Sequence, residues 1–483
     1  MSGNPPLVKS TGGPADASHA AHPAHSVSSY SGSSPLRPKV AIVGSGISGL
    51  AAAHALLAYA DITLFEGGNY FGGHTHTVDV TLPRGPGQPA VTHGVDTGFL
   101  VFNERTYPGL IRLFAELGVD TAKSDMSFSA KVPGAGVSGG ALEWSGTSLS
   151  SVFAQRRNLL NWRFYRMLRD ILRFNRITTA LAESGADSEM QQPLSDFLRA
   201  QRFSDEFRDW YFLPMMGCIW SCPTDQMLQF PVATMIRFCH NHGLIQVTNR
   251  PQWWTVTGGA RHYVEKIISR IDDKRLNTAV RRIERDARGV NVITDRGAER
   301  FDKVILAAHS DQSLQMLADP SAAEEGVLGA IRYQANRAVL HTDTSVLPAN
   351  PKAWAAWNYE RAALHDRESA QVCLHYLLNM LQPLPFGQPV VVSLNPVREI
   401  QRKHVMGTFD YAHPVFDLAA IRAQKDLPEL QGQQHSYFCG AWTKYGFHED
   451  GLQSGLRAAN LLLQQAGIRQ VQKVQPATKA QTA

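Results

Sequence analysis

Three glycines and one acidic residue have the types and spacing that a dinucleotide-binding turn requires. Gly44 permits a tight turn, Gly46 lets the backbone approach a pyrophosphate, and Gly49 lets a following helix pack closely on its strand. Glu66 lies 20 residues after Gly46, where its carboxylate can accept hydrogen bonds from both hydroxyls of a ribose. An acid at this position favours a free ribose over a ribose 2′-phosphate.

The elements that must position these residues occur in the right order. The pattern predicts a buried strand at Lys39–Val43, a helix over residues 50–59 and a second strand at residues 62–65. Ile47 and Ser48 lie where the helix starts, and free N–H groups and the positive end of a helix dipole favour phosphate there. A glycine-rich loop without a ligand is the alternative, but the complete series of elements favours the nucleotide site.

Distant segments carry further glycine-containing motifs. A second glycine pair, Gly72 and Gly73, is followed by His74 and Thr75. Other characteristic segments are VDTGFLVFNERTYPGL, SDMSFSA, IWSCPTDQM, RPQWWTVTGGARHYV and GFHEDGLQSGL. Together with GSGISGL and YFGGHTHTV, they resemble FAD-dependent oxidoreductases of the flavin amine oxidase superfamily. Within it, the chain is similar to the N-terminal oxidase-like domain of plant cyclopropane fatty-acid synthases and to bacterial acyl-chain desaturases of furan fatty acid synthesis, over residues 39–465.

The resemblance implies that FAD binds non-covalently and that the second glycine pair contributes to its site. In the superfamily, such a pair lets the chain pass close to the pyrophosphate and the ribityl chain. This assigns Gly72, Gly73, His74 and Thr75 to the cofactor site. The superfamily usually has Arg directly after the pair, so His74 leaves open what charge the chain offers to the phosphates.

The resemblance also assigns later segments to the same cofactor. Val280 would contact the adenine through its backbone, and Gly440 would lie against the flavin phosphates or the ribityl chain. Gly451 and Leu452, at the predicted start of the last helix, would give N–H groups to the N1/O2 edge of the flavin, where the helix dipole stabilises the charge of reduced flavin. A plain β-meander and an ordinary helix start are the alternatives for these segments.

The implied fold is α/β, with a Rossmann-like FAD-binding domain and a substrate domain of mixed sheet plus helices, as in amine oxidases. The substrate domain is predicted to be mainly helical at residues 106–240, with strands at 332–411. We expect a discontinuous FAD-binding domain at 38–105, 250–320 and 434–467, a substrate domain at 106–249 and 321–433, and disordered tails at 1–37 and 468–483.

Composition excludes some classes of function and leaves others open. The 483 residues carry a net charge of +5, which is too mild to indicate nucleic acid binding. The 5 cysteines do not suggest a disulfide framework, and neither they nor the histidines show the spacing of a metal site. No run of 18 apolar residues occurs. We therefore expect a cytoplasmic protein with no metal, in peripheral contact at most with the inner membrane face.

A predicted helix within residues 159–176 has two contrasting faces. Its apolar face is expected to contain Leu160, Phe164, Met167, Leu168, Ile171 and Leu172, and its basic face Arg166, Arg169, Arg173 and Arg176. One interpretation is a surface helix with a solvated basic side. The other is a stripe that contacts anionic phospholipid headgroups.

The substrate pocket is harder to predict. Trp357, Asn358 and Asn395 are candidate pocket residues, and a structural role is the alternative for each. No constellation of nucleophile and base forces a particular chemistry, so the catalytic residues are unassigned. Residues that qualify by type alone are His240, His242 and Tyr445.

Three hypotheses for function follow. The first is an FAD-dependent dehydrogenase that desaturates a lipid acyl chain, with hydride transfer to flavin N5. The second is an amine or porphyrinogen oxidase, because the flavin motifs are shared. The third is a flavin-bound, non-catalytic accessory subunit of a lipid methyltransferase, which would be its partner.

Overall fold

The computed structural model describes residues 37–184, 192–220, 224–245, 250–361 and 372–468. The tails expected to be disordered, 1–37 and 468–483, lie outside these segments apart from Arg37 and Ile468. The guanidinium of Arg37 donates to the carbonyl oxygens of Leu57 and Ala60.

The strands are numbered in chain order. They are β1 Lys39–Val43, β2 Asp61–Phe65, β3 Thr77–Pro83, β4 Ala90–Asp96, β5 Phe102–Asn103, β6 Thr121–Ser124, β7 Phe128–Val132, β8 Leu142–Ser145, β9 Trp253–Val256, β10 Asp273–Arg275, β11 Val280–Asp286, β12 Gly289–Thr294, β13 Gly297–Phe301, β14 Lys303–Leu306, β15 Arg332–His341, β16 Trp357–Glu360, β17 Cys373–Leu377, β18 Val391–Leu394, β19 Val405–Val415 and β20 Ser436–Phe438.

The helices follow the same convention, and none in the described segments has both the length and the apolar character needed to cross a bilayer. They are α1 Ile47–Leu56, α2 Pro108–Leu117, α3 Leu149–Val152, α4 Trp162–Ser184, α5 Leu194–Ala200, α6 Asp205–Phe207, α7 Leu213–Trp220, α8 Thr224–Leu228, α9 Val232–Asn241, α10 Arg261–Ile268, α11 Ser310–Met316, α12 Ala322–Leu328, α13 Leu378–Leu381, α14 Leu418–Leu430 and α15 His448–Gln465.

A five-stranded parallel sheet carries the first glycine motif. Its order is β10-β2-β1-β14-β20. Val40, Ala41 and Ile42 of β1 are fully buried, as expected for a central strand of a parallel sheet covered on both faces. Because all five strands run in the same direction, the turns after β1, β2, β14 and β20 meet at one edge of the sheet.

The first and last helices lie against each other beside this sheet. A side chain on Gly455 of α15 would overlap the backbone carbonyl of Ser48 in α1, so the two helices meet at backbone distance. The C-terminal segment is thereby fixed next to the first glycine motif, about 400 residues away in sequence. The helix predicted at residues 50–59 is present, but it spans Ile47–Leu56 and so begins and ends three residues earlier.

A seven-stranded mixed sheet forms the second large layer. Its order is β19-β15-β18-β17-β16-β7-β8, and β16 pairs in parallel with β7 while the other neighbours are antiparallel. The prediction that residues 106–240 are mainly helical missed β6, β7 and β8. Strand β6 pairs with β9 and β7 pairs with β16, both distant in sequence, as in Phe128 with Trp357, and β8 then pairs with β7. The predicted domain limits stay a prediction.

Helix α4 lies on the outside of the helical layer, and its orientation corrects the expected pattern. Phe164, Met167 and Phe174 are fully buried. Leu160, in the turn before the helix, is 92% exposed and Leu172 is 61% exposed, so placing both on the buried face was wrong. The apolar side chains of this segment therefore divide between the core and the solvent.

Candidate active site

The turn after β1 has the geometry that its glycines predict. Gly44 has a φ of +102°, and a Cβ there would lie 2.8 Å from the Ala307 carbonyl oxygen. A Cβ on Gly49 would overlap the Gly44 carbonyl oxygen, so helix α1 can approach the turn only without a side chain. A Cβ on Gly46 would meet nothing within 4 Å, which leaves the backbone open on that side.

Glu66, at the end of β2, is held against the same turn. Its carboxylate accepts hydrogen bonds from the Ser45 N–H group (3.0 Å), the Ser45 hydroxyl (2.5 Å) and the Gly68 N–H group (2.7 Å). Glu66 lines a cavity together with Gly44, Gly46 and Ile47. Glu66 therefore lies beside the first glycine motif in the cavity wall, and its ribose-binding role stays a prediction.

The second glycine pair lies directly against the first motif. A Cβ on Gly73 would come within 3.1 Å of the Gly46 Cα, and the Gly72 N–H group donates to the Ser45 hydroxyl at 3.1 Å. Both glycines have positive φ values, +125° for Gly72 and +57° for Gly73. The two motifs are thus brought together into one wall of the cavity, as the resemblance implied.

His74 points an unpaired ring nitrogen into this part of the protein. Its Nε2 atom is buried and has no hydrogen-bond partner among the described residues. Its ring centroid lies 5.4 Å from that of His413 and 6.3 Å from that of His309. Burial, and then repulsion from His413, His309 and His448, holds the pKa of His74 well below its usual value. The imidazole is therefore neutral at pH 7.

A buried polar cluster beside His74 was not expected from sequence. The Tyr263 hydroxyl is hydrogen-bonded to the Thr75 hydroxyl at 2.5 Å and to His448 Nε2 at 2.7 Å. His448 also stacks on Phe99, with ring centroids 3.9 Å apart, and burial lowers its pKa to about 3. Three remote segments meet here, so no local pattern could have revealed the cluster, although a histidine three residues before the predicted helix start was a signal.

The C-terminal segments reach the cavity with one correction. Val280 and Gly440 both line it, and their contacts with adenine and with the flavin phosphates or ribityl chain stay a prediction. Gly451 and Leu452 do not offer free N–H groups, because α15 begins three residues earlier and the Gly451 N–H group donates to the Phe447 carbonyl at 3.0 Å. The Asp450 carboxylate accepts from the Phe447 N–H group at 3.1 Å and so sets this earlier start. The N–H groups that face outward at this end belong to residues 448–450.

The cavity has a volume of about 940 Å³ and two chemically different ends. The nucleotide end consists of the turns described above, with His74, His309 and His413. The apolar end is lined by side chains from α7, α9, β9, the seven-stranded sheet and their connections, namely Met126, Cys218, Ile219, Trp220, Phe238, Leu244, Trp253, Trp357, Tyr376, Val392 and Leu394. Among the described lining residues, Glu66 is the sole carboxylate and Arg281 the sole Lys or Arg.

The apolar end contains two indole N–H groups without acceptors. Trp220 Nε1 and Trp357 Nε1 are buried and have no hydrogen-bond partner among the described residues. Both side chains line the cavity. A buried donor without a partner costs about 1–3 kcal/mol, so a ligand that supplies an acceptor gains that energy back.

Three residues, His240, His242 and Tyr445, were candidates for catalysis by residue type alone. Of these, His242 is buried and has a defined protonation state. Its Nδ1 atom donates to the Phe238 carbonyl at 2.9 Å, and burial lowers its pKa to about 4. Its ring lines the cavity and stacks on Phe238. Tyr445 also lines the cavity, whereas His240 does not.

Of the candidate pocket residues, Trp357 alone lines the cavity. Asn358 is buried in the sheet, where its amide donates to the carbonyl oxygens of Ala355 and His375. Asn395 similarly bonds Asn336 and the Arg337 N–H group. Assigning the two asparagines to the pocket was wrong, and their structural alternative holds.

A comparison with known protein families shows which kind of protein contains this cavity. The model of the family described as flavin containing amine oxidoreductase matches residues 47–463. The chain belongs to this family. It is therefore an FAD-dependent oxidoreductase, and its α/β architecture of mixed sheets and helices is the amine oxidase fold.

Individual relatives agree with the family assignment. A Mycobacterium tuberculosis protein that carries the name flavin-containing monoamine oxidase AofH is 27% identical over 432 residues, which cover 85% of this chain and 88% of the relative. Cyclohexylamine oxidase from Brevibacterium oxydans superposes with a TM-score of 0.63 and 16% identity, over 89% of this chain and 100% of its own. The fatty acid isomerase from P. acnes that produces CLA superposes with a TM-score of 0.60 and 13% identity, over 88% of this chain and 98% of its own.

The residues at the nucleotide end of this family member fit FAD. Gly46 leaves its backbone open on the side that a phosphate requires, Glu66 brings a carboxylate to the lining for a ribose, and His74 in the same lining has a buried ring nitrogen without a partner among the described residues. The first turn of α15 directs its positive dipole end toward the cavity, where His448 lies in the lining. These residues would hold the cofactor without a covalent link.

Proposed function

We propose that this enzyme dehydrogenates the acyl chain of a lipid substrate to an alkene. The observation that carries the proposal is the apolar end of the cavity, which has no Lys, Arg, Asp or Glu side chain among its described lining residues. An uncharged hydrocarbon chain is the substrate class that such a lining accepts without an uncompensated charge.

The two unpaired indole N–H groups support an acyl substrate further. The carbonyl oxygen of an ester or carboxyl group would accept a hydrogen bond from Trp357 Nε1 or Trp220 Nε1. A protonated amine, which has no acceptor, would bring only further donors to these two indole groups. The fatty acid isomerase among the solved structures has an acyl substrate by its name, which supports the capacity of this fold for such chains.

FAD, when bound, supplies a hydride acceptor at N5. The residues of the chain would hold and orient the acyl chain against it, exclude water through the aromatic lining, and accept the proton that leaves with the hydride. We assign that proton to His242 Nε2, because Nδ1 is committed to the Phe238 carbonyl and the neutral ring has a free lone pair. Loss of one hydride and one proton converts a C–C single bond into a double bond.

An amine substrate is the second candidate, favoured by the names of the relatives AofH and cyclohexylamine oxidase. Deprotonated amines are neutral and could enter an aromatic-lined cavity. Porphyrinogens carry carboxylates, and the sole Arg in the described lining, Arg281, is paired with Asp295 at 2.9 Å. The cavity therefore supports amines better than porphyrinogens.

Anaerobic flavin reduction tests the proposal. Purified holoenzyme is mixed with a phospholipid that carries a methyl-branched acyl chain, and separately with a panel of primary amines. We expect the lipid to bleach the oxidised flavin and to yield a product two hydrogens lighter by mass spectrometry. Bleaching by amines alone would overturn the acyl proposal, and bleaching by neither would favour the accessory subunit of a lipid methyltransferase.

A matched variant sharpens this test. Trp357→Phe keeps an aromatic ring in the cavity and removes the unpaired N–H group. We expect KM for the acyl ester to rise by roughly fivefold, as for one lost hydrogen bond, with kcat unchanged. An unchanged KM would remove the carbonyl contact from the proposal but leave the hydrocarbon argument intact.

A further inference from the structure

An exposed apolar surface lies on the outside of the helical layer. Of the 10 large hydrophobic side chains that are exposed in the described residues, 6 lie between Leu149 and Leu172. Leu160 is 92% exposed, Trp162 66% and Leu172 61%. We call this region the α4 surface, and it consists of Leu159, Leu160, Trp162, Tyr165, Arg169, Leu172 and Arg176.

Five of the exposed residues of α4 form one stripe. Trp162, Tyr165, Arg169, Leu172 and Arg176 are all exposed and fall within about 80° on a helix that turns about 100° per residue. Aromatic, basic and aliphatic side chains therefore alternate along one line that faces solvent. A solvated face of a surface helix normally carries polar residues at these positions.

Positive charge accompanies the apolar side chains. Residues 149–176 contain 7 arginines and a single acidic residue, Asp170, which is buried. Arg163 and Arg166 are engaged with Glu206, at 2.6 and 2.9 Å. Arg169 is 75% exposed and lies 3.7 Å from the Asp170 carboxylate, and Arg176 is also exposed. The α4 surface thus combines outward apolar bulk with outward cationic charge.

We propose that the α4 surface attaches the protein to an anionic lipid bilayer. Trp and Tyr prefer the boundary between headgroups and acyl chains, Leu enters the apolar side of that boundary, and Arg pairs with anionic phosphate. A protein partner would have to be both apolar and acidic to match the same surface. The complementary charge favours the bilayer, which presents both properties everywhere on its surface.

The position of α4 gives this attachment a consequence for the cavity. Helix α4 packs on α9, which carries Phe238 of the cavity lining and is followed by His242. Its inner face, through Phe164, contacts Trp144 of the seven-stranded sheet, with ring centroids 6.1 Å apart. The outer side of one helical layer would rest on lipid while its inner side lines the apolar end.

Vesicle co-sedimentation of the holoprotein tests this proposal without requiring turnover, so its outcome is independent of the proposed reaction. The probes are vesicles of phosphatidylcholine alone and of phosphatidylcholine with phosphatidylglycerol. We expect at least roughly tenfold stronger partition into the anionic vesicles. Two double variants test the two components of the surface. The first combines Leu160→Ser with Trp162→Ser, and the second combines Arg169→Glu with Arg176→Glu. Each should lower the partition into anionic vesicles by roughly tenfold or more.

Two matched controls carry equivalent changes elsewhere. Val397→Ser with Val405→Ser removes exposed apolar side chains, and Arg270→Glu with Arg296→Glu makes the same change in net charge at exposed sites. Both should partition like the wild type. The proposal is overturned if the wild-type protein does not bind anionic vesicles, or if the controls lose as much binding as the α4 variants. It is also overturned if the protein is a dimer without lipid and Leu160→Ser with Trp162→Ser makes it a monomer, because the α4 surface would then be a dimer interface.

Discussion

The two ends of the cavity are built on different principles. At the nucleotide end, the important atoms are backbone N–H groups and Cα positions, and several residues there tolerate no Cβ. At the apolar end, the lining consists of side chains from α7, α9, β9 and three neighbouring strands, where shape and apolarity suffice. The nucleotide end therefore allows few residue types at each position, and this pattern identifies the cofactor. The apolar end requires only that its side chains be apolar, so its sequence pattern does not specify one substrate.

A pair of glycine substitutions separates folding from cofactor binding at the nucleotide end. Gly49→Ala forces a Cβ into the Gly44 carbonyl and should lower the free energy of unfolding by roughly 3 kcal/mol, with loss of bound flavin. Gly46→Ala adds a Cβ that meets no protein atom within 4 Å, so the apoprotein should fold normally. Its FAD affinity should fall by roughly 100-fold, because the new side chain blocks the pyrophosphate.

Thermal unfolding and flavin titration of both variants provide the readouts. We expect Gly46→Ala apoprotein to unfold at the wild-type temperature. At the same total FAD concentration, it should carry less bound flavin than the wild type, measured by its absorbance. A Gly46→Ala protein that keeps full FAD affinity would show that no phosphate lies against this turn.

At the apolar end, His242 provides the next largest expected effect. His242→Gln keeps a polar side chain but removes the proton acceptor, and kcat on the acyl substrate should fall by roughly 100-fold with flavin content unchanged. Because its pKa is lowered to about 4, His242 stays neutral through the physiological range, so the wild-type kcat should show no inflection from this group above pH 5.5.

His240→Gln is the matched control, since His240 lies two residues away and does not line the cavity. It should retain wild-type kcat. Equal losses in both variants would indicate that α9 was disturbed, and an unaffected His242→Gln protein would assign the proton elsewhere in the cavity or to solvent.

The sequence predicted the nucleotide end well because its requirements are local. The turn, the helix and Glu66 lie within 30 residues, and each glycine has a backbone reason. The start of α15 was predicted three residues late, because the Asp450 carboxylate caps the chain at Phe447 through a side-chain bond that periodicity does not show. The family resemblance, rather than the residues alone, brought the distant segments to the same site.

The remaining errors share a physical cause, which is dependence on distant partners. The pairing of Phe128 with Trp357 decides that β7 is a strand. The outward position of Leu172 depends on what packs against α4, and helical periodicity alone does not settle it. The cluster of Thr75, Tyr263 and His448 comes from three segments, so it could not be predicted by any local rule.

His74 supplies the smallest of these effects and tests whether the nucleotide end responds to charge. In the apoprotein, burial and the neighbouring His413, His309 and His448 keep its pKa well below 6.5. A bound diphosphate adds negative charge and raises the pKa of His74. At pH values between the apoprotein pKa and the higher pKa of the complex, the complex therefore binds more protons than the apoprotein. FAD affinity should therefore rise as pH falls through this window, by at most about tenfold per pH unit for one proton.

His74→Gln should flatten this pH dependence of FAD affinity in a flavin-fluorescence titration, and His74→Arg should bind FAD tightly at every pH. If His74→Gln keeps the wild-type slope, the proton belongs to another of these histidines, and His74 does not contact the phosphates.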